Sequence, residues 1–279
     1  MDQLEIHRRW FAQLITANAG VPTTNHALIE AFATTPREKF VGPGPWQVFT
    51  RLGYIETPSD DPALLYQDIT VALKGERQIN NGQPTLHAVC LAALAVKEGE
   101  SVVHVGGGTG YYSALLAKLT GPTGSVAAFE LEPDLAARAA RNLTDLPQAT
   151  IHPKSGTEGP LPECDVLYVS AGATDPLDVW LDALRPGGRL LFPLTPNQGM
   201  GAMLLVTRGE GDTFAARFVC GAMFIPCVGA RDEETEKNLA AAFARGDMAK
   251  VRSLRRGTAP DATSWCAGRT WWLSTEPPS

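Results

Sequence analysis

The stretch that most restricts the fold is Val102-Val103-His104-Val105-Gly106-Gly107-Gly108-Thr109-Gly110-Tyr111, an apolar β-branched run that breaks into a glycine turn and resumes as a helix-forming segment. β-branched residues suit a buried strand. Glycines let the backbone turn tightly and let a ligand approach it, and the start of the next helix offers unpaired N–H groups. Strand, glycine turn and helix in this order suit a nucleotide-like ligand on an α/β fold, although a tight strand–helix connection without a ligand reads the same way.

The second strand narrows the choice. Residues 126–131 form an apolar run containing Glu130, twenty positions after Gly110. An acid at that strand's carboxyl end lies beside the first turn and can accept both hydroxyls of a ribose. The competing role is a strand-end carboxylate that caps the helix beginning near Pro133. A dinucleotide fingerprint requires G-x-G-x-x-G/A, whereas this turn reads G-x-G-x-G with Tyr111 in the last place, and a Walker loop would end in Gly-Lys-Ser/Thr. S-adenosylmethionine, with a ribose and an amino-acid end but no phosphate, fits both the acid and the missing lysine. His104, on the same strand, reads as a packed core histidine.

Short apolar runs at 102–105, 126–131, 166–170, 189–194, 203–207 and 216–224, separated by helical stretches, predict a mostly parallel sheet with helices on both faces. The last two runs, joined through 209–213, predict an antiparallel hairpin at one sheet edge. The first 60 residues read as helices with irregular connections, stopped at Gly42-Pro43-Gly44-Pro45, and Pro84 opens a helix running to Val96. Beyond Cys227, residues 233–245 and 247–256 read as charged helices broken at Gly246. The expected organisation is a helical, substrate-side segment over 1–83, a cofactor-binding core over 84–230 and a helical extension over 231–279.

Thirty acidic against 24 basic residues, a net charge of -6, and no basic run beyond Arg255-Arg256 with Arg252 nearby leave no footprint for a nucleic acid. The apolar run at 88–96 is too short to span a bilayer and Met1-Asp2-Gln3-Leu4-Glu5 has no basic start, so a soluble, cytoplasmic chain without a membrane partner is expected. The five cysteines lack C-x-x-C spacing, which predicts reduced thiols and no metal site.

Several linked motifs resemble the protein-L-isoaspartate O-methyltransferase family from about residue 25 to about 230: Pro36-Arg37-Glu38-Lys39-Phe40-Val41, Tyr66-Gln67-Asp68, the turn at 105–111, the strand at 126–130, and 165–172 running into Leu184-Arg185-Pro186-Gly187-Gly188-Arg189-Leu190. The resemblance implies a Rossmann-like methyltransferase, a doubly wound, mostly parallel, seven-stranded sheet. It also implies S-adenosylmethionine as cofactor and S-adenosylhomocysteine as product. Carried over, the cofactor contacts fall on Gly106, Gly107, Gly108, Gly110, Glu130, Leu131, Ser155 and Gly156. Serine at 155 is a departure, because the family has aspartate there, which weakens or moves the contact expected at the adenine amino group.

A second departure lies before Pro84. The family's Ile-Ser-x-Pro segment, whose serine lies beside the reacting carboxylate, is replaced by Gln78-Ile79-Asn80-Asn81-Gly82-Gln83-Pro84, one residue longer and without serine. Asn80 and Asn81 either donate amide hydrogen bonds to a carboxylate or make an Asn-Gly turn. His87 matches a histidine common in the family's helix, with packing as its expected role. The tail 231–279, outside the family's extent, covers the active site, forms a homo-oligomer contact or packs as an extra layer.

Methyl transfer from a sulfonium is an in-line displacement, so alignment and exclusion of water are the protein's main tasks. A carboxylate with a solution pKa of about 4 is ionised at neutral pH and requires no base, whereas an amine or hydroxyl acceptor would call on Asp68 or His87. Three readings follow: repair of isoaspartyl residues in a protein or peptide, methylation of another peptide carboxylate, and cofactor binding without catalysis.

Overall fold

The computed structural model describes residues 2–279. Asp2 caps α1 (Gln3–Asn18) by accepting from Glu5 N at 2.7 Å, and Asn25 caps α2 (His26–Thr34) through Leu28 N. Phe11 and Ile15 of α1 are fully buried, with Phe11 edge-on to Phe32 of α2. α3 (Glu38–Val41) stops at Gly42, in the left-handed region at φ 80°.

The next stretch corrects the all-helical expectation for the first 60 residues. β1 (Gln47–Thr50) and β2 (Gly53–Glu56) form an antiparallel hairpin pairing Val48 with Ile55 and Phe49 with Tyr54. The β-branched and aromatic residues suit a pleated surface, and Gly53 supplies the positive φ of the turn. β3 (Ala72–Lys74) and β4 (Ile79–Asn80) pair in the same sense, and α4 (Pro84–Leu94) starts with its proline in the first turn.

There follow β5 (Ser101–Val105), α5 (Tyr111–Thr120), β6 (Ser125–Phe129), α6 (Pro133–Asn142), β7 (Ala149–His152), β8 (Cys164–Val169), α7 (Asp178–Ala183), β9 (Leu184–Leu194), β10 (Gly201–Arg208) and β11 (Phe214–Ala222). The chain closes with α8 (Glu233–Arg245), β12 (Ser253–Arg256), β13 (Ser264–Ala267) and β14 (Trp271–Ser274). β7, four residues with a single large aliphatic, has too weak a pattern to be read from sequence.

Two compact units divide the chain: Met1–Gly99 with Gly107–Lys154, and Glu100–Gly106 with Ser155–Ser279. In the first, β6 and β7 run parallel, beside the small β1-β2 and β3-β4 sheets. In the second, the strand order is β13-β14-β12-β11-β10-β9-β8-β5. Here β5, β8 and β9 are parallel, and every later neighbour is antiparallel.

The eight strands of this unit alone exceed the seven expected for the whole sheet, because the tail is not a helical extension. Residues 247–256, expected as a helix, hold a short 3-10 turn (Met248–Lys250) and β12. The β10-β11 hairpin exists, but β12 pairs with β11, so the hairpin is not the sheet's edge. The tail misleads because its charges sit on strands with buried stems: Arg256 lies over the Phe214 ring and binds Asp212 and Asp182, and Arg255 lies over Trp272. At the far edge, Asn238 and Arg245 of α8 donate to the carbonyls of Ala267 and Trp265, which covers β13 against further pairing.

Candidate cofactor and acceptor site

The glycine turn is folded onto its neighbouring strand by the backbone. Gly107 N donates to Phe129 O at 3.0 Å, Gly110 N to Gly107 O at 2.9 Å, and α5 starts immediately after. Gly106, Gly108 and Gly110 all have positive φ. At Gly110 (φ 94°) a Cβ would also lie 3.2 Å from Leu143, so both conformation and packing require glycine there.

Glu130 follows β6 and is 7% exposed. Its Oε2 accepts from Gly108 N at 2.6 Å and its Oε1 from Glu132 N at 2.8 Å. Burial pushes this carboxyl above its ordinary pKa, against the pull of those two N–H donors. The capping role read from the sequence is realised in part, since Glu132 is the N-cap residue of α6. Each carboxylate oxygen still has a lone pair available, which fits a ribose diol. Leu131, the next residue, leaves 44% of its surface exposed, an apolar face where a base could lie.

The asparagine loop of the same unit is held by side chains from far along the chain. Arg37, fully buried, donates to the carbonyls of Leu65 at 2.6 Å, Gln67 at 3.1 Å and Ile69 at 2.8 Å. The Tyr66 hydroxyl donates to Glu38 and accepts from Arg8, and burial, aided by Glu38, pushes its pKa up to about 12. The matched motifs 36–41 and 66–68 are therefore scaffold.

Asp68 accepts from Thr85 N at 2.8 Å and from Gln83 Nε2 at 3.0 Å. It caps α4, whose own N-cap residue makes no side-chain cap, and this removes Asp68 as the obvious base. His87 stacks on Tyr112 with ring centroids 3.5 Å apart and is buried, as a packing residue would be.

The two asparagines differ. Asn80 Oδ1 accepts from Tyr54 Oη at 2.7 Å, and its Nδ2 donates to Gln78 O at 2.8 Å. Asn81 N donates to Val71 O at 2.8 Å, while its side-chain Nδ2 is buried with no hydrogen-bond partner, the residue being 5% exposed. Gly82 has φ 52°, and a Cβ there would fall 2.2 Å from His87 Nε2. Residues 81–83 form no hydrogen-bonded turn, and the Asn81 Nδ2 is left without a partner.

This loop reaches the glycine turn. A Cβ on Gly108 would sit 3.4 Å from Leu73 of β3. Lys74 bridges Glu132 at 2.7 Å and Asp134 at 2.5 Å, and Arg77 bridges Glu132 at 2.5 Å. The bond from Lys74 holds the Glu132 carboxyl below its ordinary pKa. Sequence reasoning did not single out Lys74, Arg77 or Tyr54, because each acts through a partner over 25 residues away and no local spacing marks it.

Gly106, Ser155 and Gly156 belong to the second unit. Ser155 Oγ lies 2.7 Å from Thr157 Oγ1 and accepts from Thr157 N at 3.1 Å, and Gly156 O accepts from the Trp180 indole at 2.8 Å. The Ser155 hydroxyl is thus engaged in its own turn. His104 Nε2 is 3.1 Å from Ser170 Oγ, and burial pushes its pKa down to about 3, so it stays neutral as a core histidine.

No group of three or more His, Cys, Asp or Glu side chains among the described residues is placed to hold a metal ion, and no helix among them is long and apolar enough to cross a membrane. Residues 11–232 match the family model described as Protein-L-isoaspartate(D-aspartate) O-methyltransferase (PCMT). A protein-L-isoaspartate O-methyltransferase of Brucella anthropi is 30% identical over 209 residues, covering 72% of this chain and 85% of the relative. A solved protein-L-isoaspartate O-methyltransferase superposes with a TM-score of 0.65 at 23% identity, covering 85% of this chain and 69% of the other. A Plasmodium falciparum structure solved with S-adenosyl-L-homocysteine gives 0.63 at 16% identity, covering 80% and 98%. The chain belongs to the protein-L-isoaspartate O-methyltransferase family and is an S-adenosylmethionine-dependent methyltransferase of Rossmann-like fold.

Proposed function

We propose that the chain methylates the free carboxylate of isoaspartyl residues in damaged polypeptides. Gly106, Gly107, Gly108 and Gly110, with Glu130, Leu131, Ser155 and Gly156, would hold S-adenosylmethionine: the spare lone pairs of Glu130 take the ribose hydroxyls and Leu131 offers the base an apolar face. When bound, the cofactor supplies an electrophilic methyl group on a sulfonium. The chain's part is to bind and orient a carboxylate that is already ionised, with a solution pKa of about 4, and to exclude water.

Beyond family membership, the observation that carries this reading is the Asn81 amide. A buried N–H donor without a partner costs roughly 1–3 kcal/mol, and such a group calls for a partner, an ordered water or a ligand, to complete it. Its partner must be an acceptor, and a carboxylate oxygen is the strongest available. Asn80 and Asn81 together would stand where the family's serine stands, with Asn81 touching the acceptor and Asn80 supporting it. The engagement of Asp68 and His87 elsewhere favours an acceptor that needs no base. A polypeptide partner and a cytoplasmic place of work go with this reading, supported by five cysteines of which none is in a disulfide.

The test is transfer of labelled methyl to an isoaspartyl peptide and to its aspartyl twin, read as a base-labile ester. Selective labelling of the isoaspartyl peptide is expected. Equal labelling of both, or labelling of neither with cofactor binding intact, would refute it.

A further inference from the structure

Asn80 lies next to the proposed acceptor donor, yet its amide is oriented from outside the loop. Tyr54, on the β1-β2 hairpin, donates its hydroxyl to Asn80 Oδ1 at 2.7 Å. Asn80 Nδ2 donates to the carbonyl of Gln78, which holds a left-handed conformation at φ 55°. The Tyr54 ring is fixed edge-on against Phe49 at 5.5 Å. Phe49 N in turn donates to Thr70 O at 2.9 Å, and Val48 bridges Val71, whose carbonyl receives Asn81 N at 2.8 Å. The hairpin and the asparagine loop are thus joined on two sides, through the Tyr54 side chain and through the Thr70-Val71 backbone.

The hairpin's fixed end contrasts with its tip, where Leu52 is fully exposed. An amide can turn either its oxygen or its nitrogen toward a ligand, and the choice decides whether the ligand meets an acceptor or a donor. A donor on Oδ1 settles that choice for Asn80, because Tyr54 Oη approaches the oxygen and the Gln78 carbonyl takes one N–H, which leaves the second N–H outstanding. What Asn80 has left for a ligand is therefore a donor, a polarity that accepts a carboxylate and rejects an ammonium.

We infer that Tyr54 is a positioning residue for methyl transfer, fixing the Asn80 amide so that it turns a donor toward a carboxylate acceptor. The inference rests on the reading above that this loop faces the acceptor. It is specific to the hairpin hydroxyl, since the ring's contact with Phe49 survives its removal.

The experiment is a double-mutant cycle with Tyr54→Phe and Asn80→Ala, assayed on an isoaspartyl peptide and on a second peptide whose only carboxylates are ordinary aspartyl and C-terminal ones, with S-adenosylhomocysteine binding measured alongside. Tyr54→Phe is expected to lower kcat/KM for the acceptor about five-fold, a typical effect of losing one hydrogen bond. S-adenosylhomocysteine affinity should be unchanged, and Tyr54→Phe should have less than about two-fold further effect in the Asn80→Ala background, as coupled neighbours do. Tyr54→Phe equal to wild type, or additive effects in the double variant, would overturn the inference while leaving the repair reading intact. Esters formed only on the second peptide, not on the isoaspartyl one, would remove the repair reading, and the same cycle run there would still decide the role of Tyr54. No ester from either source would overturn both.

Discussion

The glycine turn from Gly107 onward and the asparagine loop belong to one compact unit, yet they are held in different ways. The turn is held by what lies close to it: its own backbone, the end of β6, Glu130, and Asn142 of α6, which donates to Thr109 O at 2.9 Å. The loop is assembled from a distance, by Arg37 on the backbone of 65–69, Asp68 on the start of α4, and Tyr54 on Asn80. A turn bonded mainly to the elements next to it can be carried unchanged while the remote-built loop is altered, so the glycine turn keeps the family's pattern while the asparagine loop, like Ser155, departs from it.

Breaking the loop's scaffold should give the largest effect. Arg37→Met removes three charged hydrogen bonds to buried carbonyls and is expected to cost roughly 3 kcal/mol or more, seen as a large drop in denaturation midpoint. Acceptor transfer should fall further than S-adenosylhomocysteine binding, because the turn makes none of its bonds to Arg37. Equal loss of both at a temperature where the variant is folded would erase the distinction between the halves.

Glu130→Ala attacks the other half. It removes the anchor of Gly108 N and, on the proposed cofactor contacts, two charge-assisted bonds to the ribose, so S-adenosylhomocysteine affinity should fall about 100-fold, measured by calorimetry. Asn81→Ala sharpens the contrast from the loop side. It should lower acceptor kcat/KM about ten-fold with cofactor affinity unchanged, and it should not lower the melting temperature, since the deleted N–H has no partner to lose. A destabilised Asn81→Ala protein would mark that amide as structural.

The same division decides what the amino-acid sequence revealed. The glycine turn, Glu130, the parallel strands and the β10-β11 hairpin were legible because strand period, glycine spacing and an acid at a strand end are local signals. The scaffolding role of Arg37 and Asp68 was not, because their partners lie 28 and 17 residues away and act through backbone atoms that carry no residue identity. The tail was misread for another reason: Arg255 and Arg256 look like a charged helix face, and only the Trp272 and Phe214 rings beneath them make them strand residues. Asn80 and Asn81 were found together but could not be told apart, since their difference is a hydrogen bond from a hairpin that the pattern of the first 60 residues did not disclose.

The smallest effect expected is in pH, and it has opposite signs in the two measurements that report it. Burial raises the Glu130 carboxyl above its ordinary value. A group whose folded pKa is raised contributes stability that is fully present below its unfolded pKa, about 4.3 for a glutamate, and loses it as pH rises through the folded value. Acidification through that window therefore favours the cofactor-free fold through this group. Cofactor binding responds the other way, because a protonated Glu130 loses acceptor strength toward the ribose, so S-adenosylhomocysteine affinity should begin to fall at a pH above the usual carboxylate range, by at most about ten-fold per unit. The loop's asparagines do not titrate and add nothing to either slope. Melting curves with and without S-adenosylhomocysteine across this range should show the ligand-induced shift shrinking on acidification, and Glu130→Gln should flatten it. An undiminished shift down to the ordinary carboxylate range would mean that Glu130 is not the group that holds the cofactor.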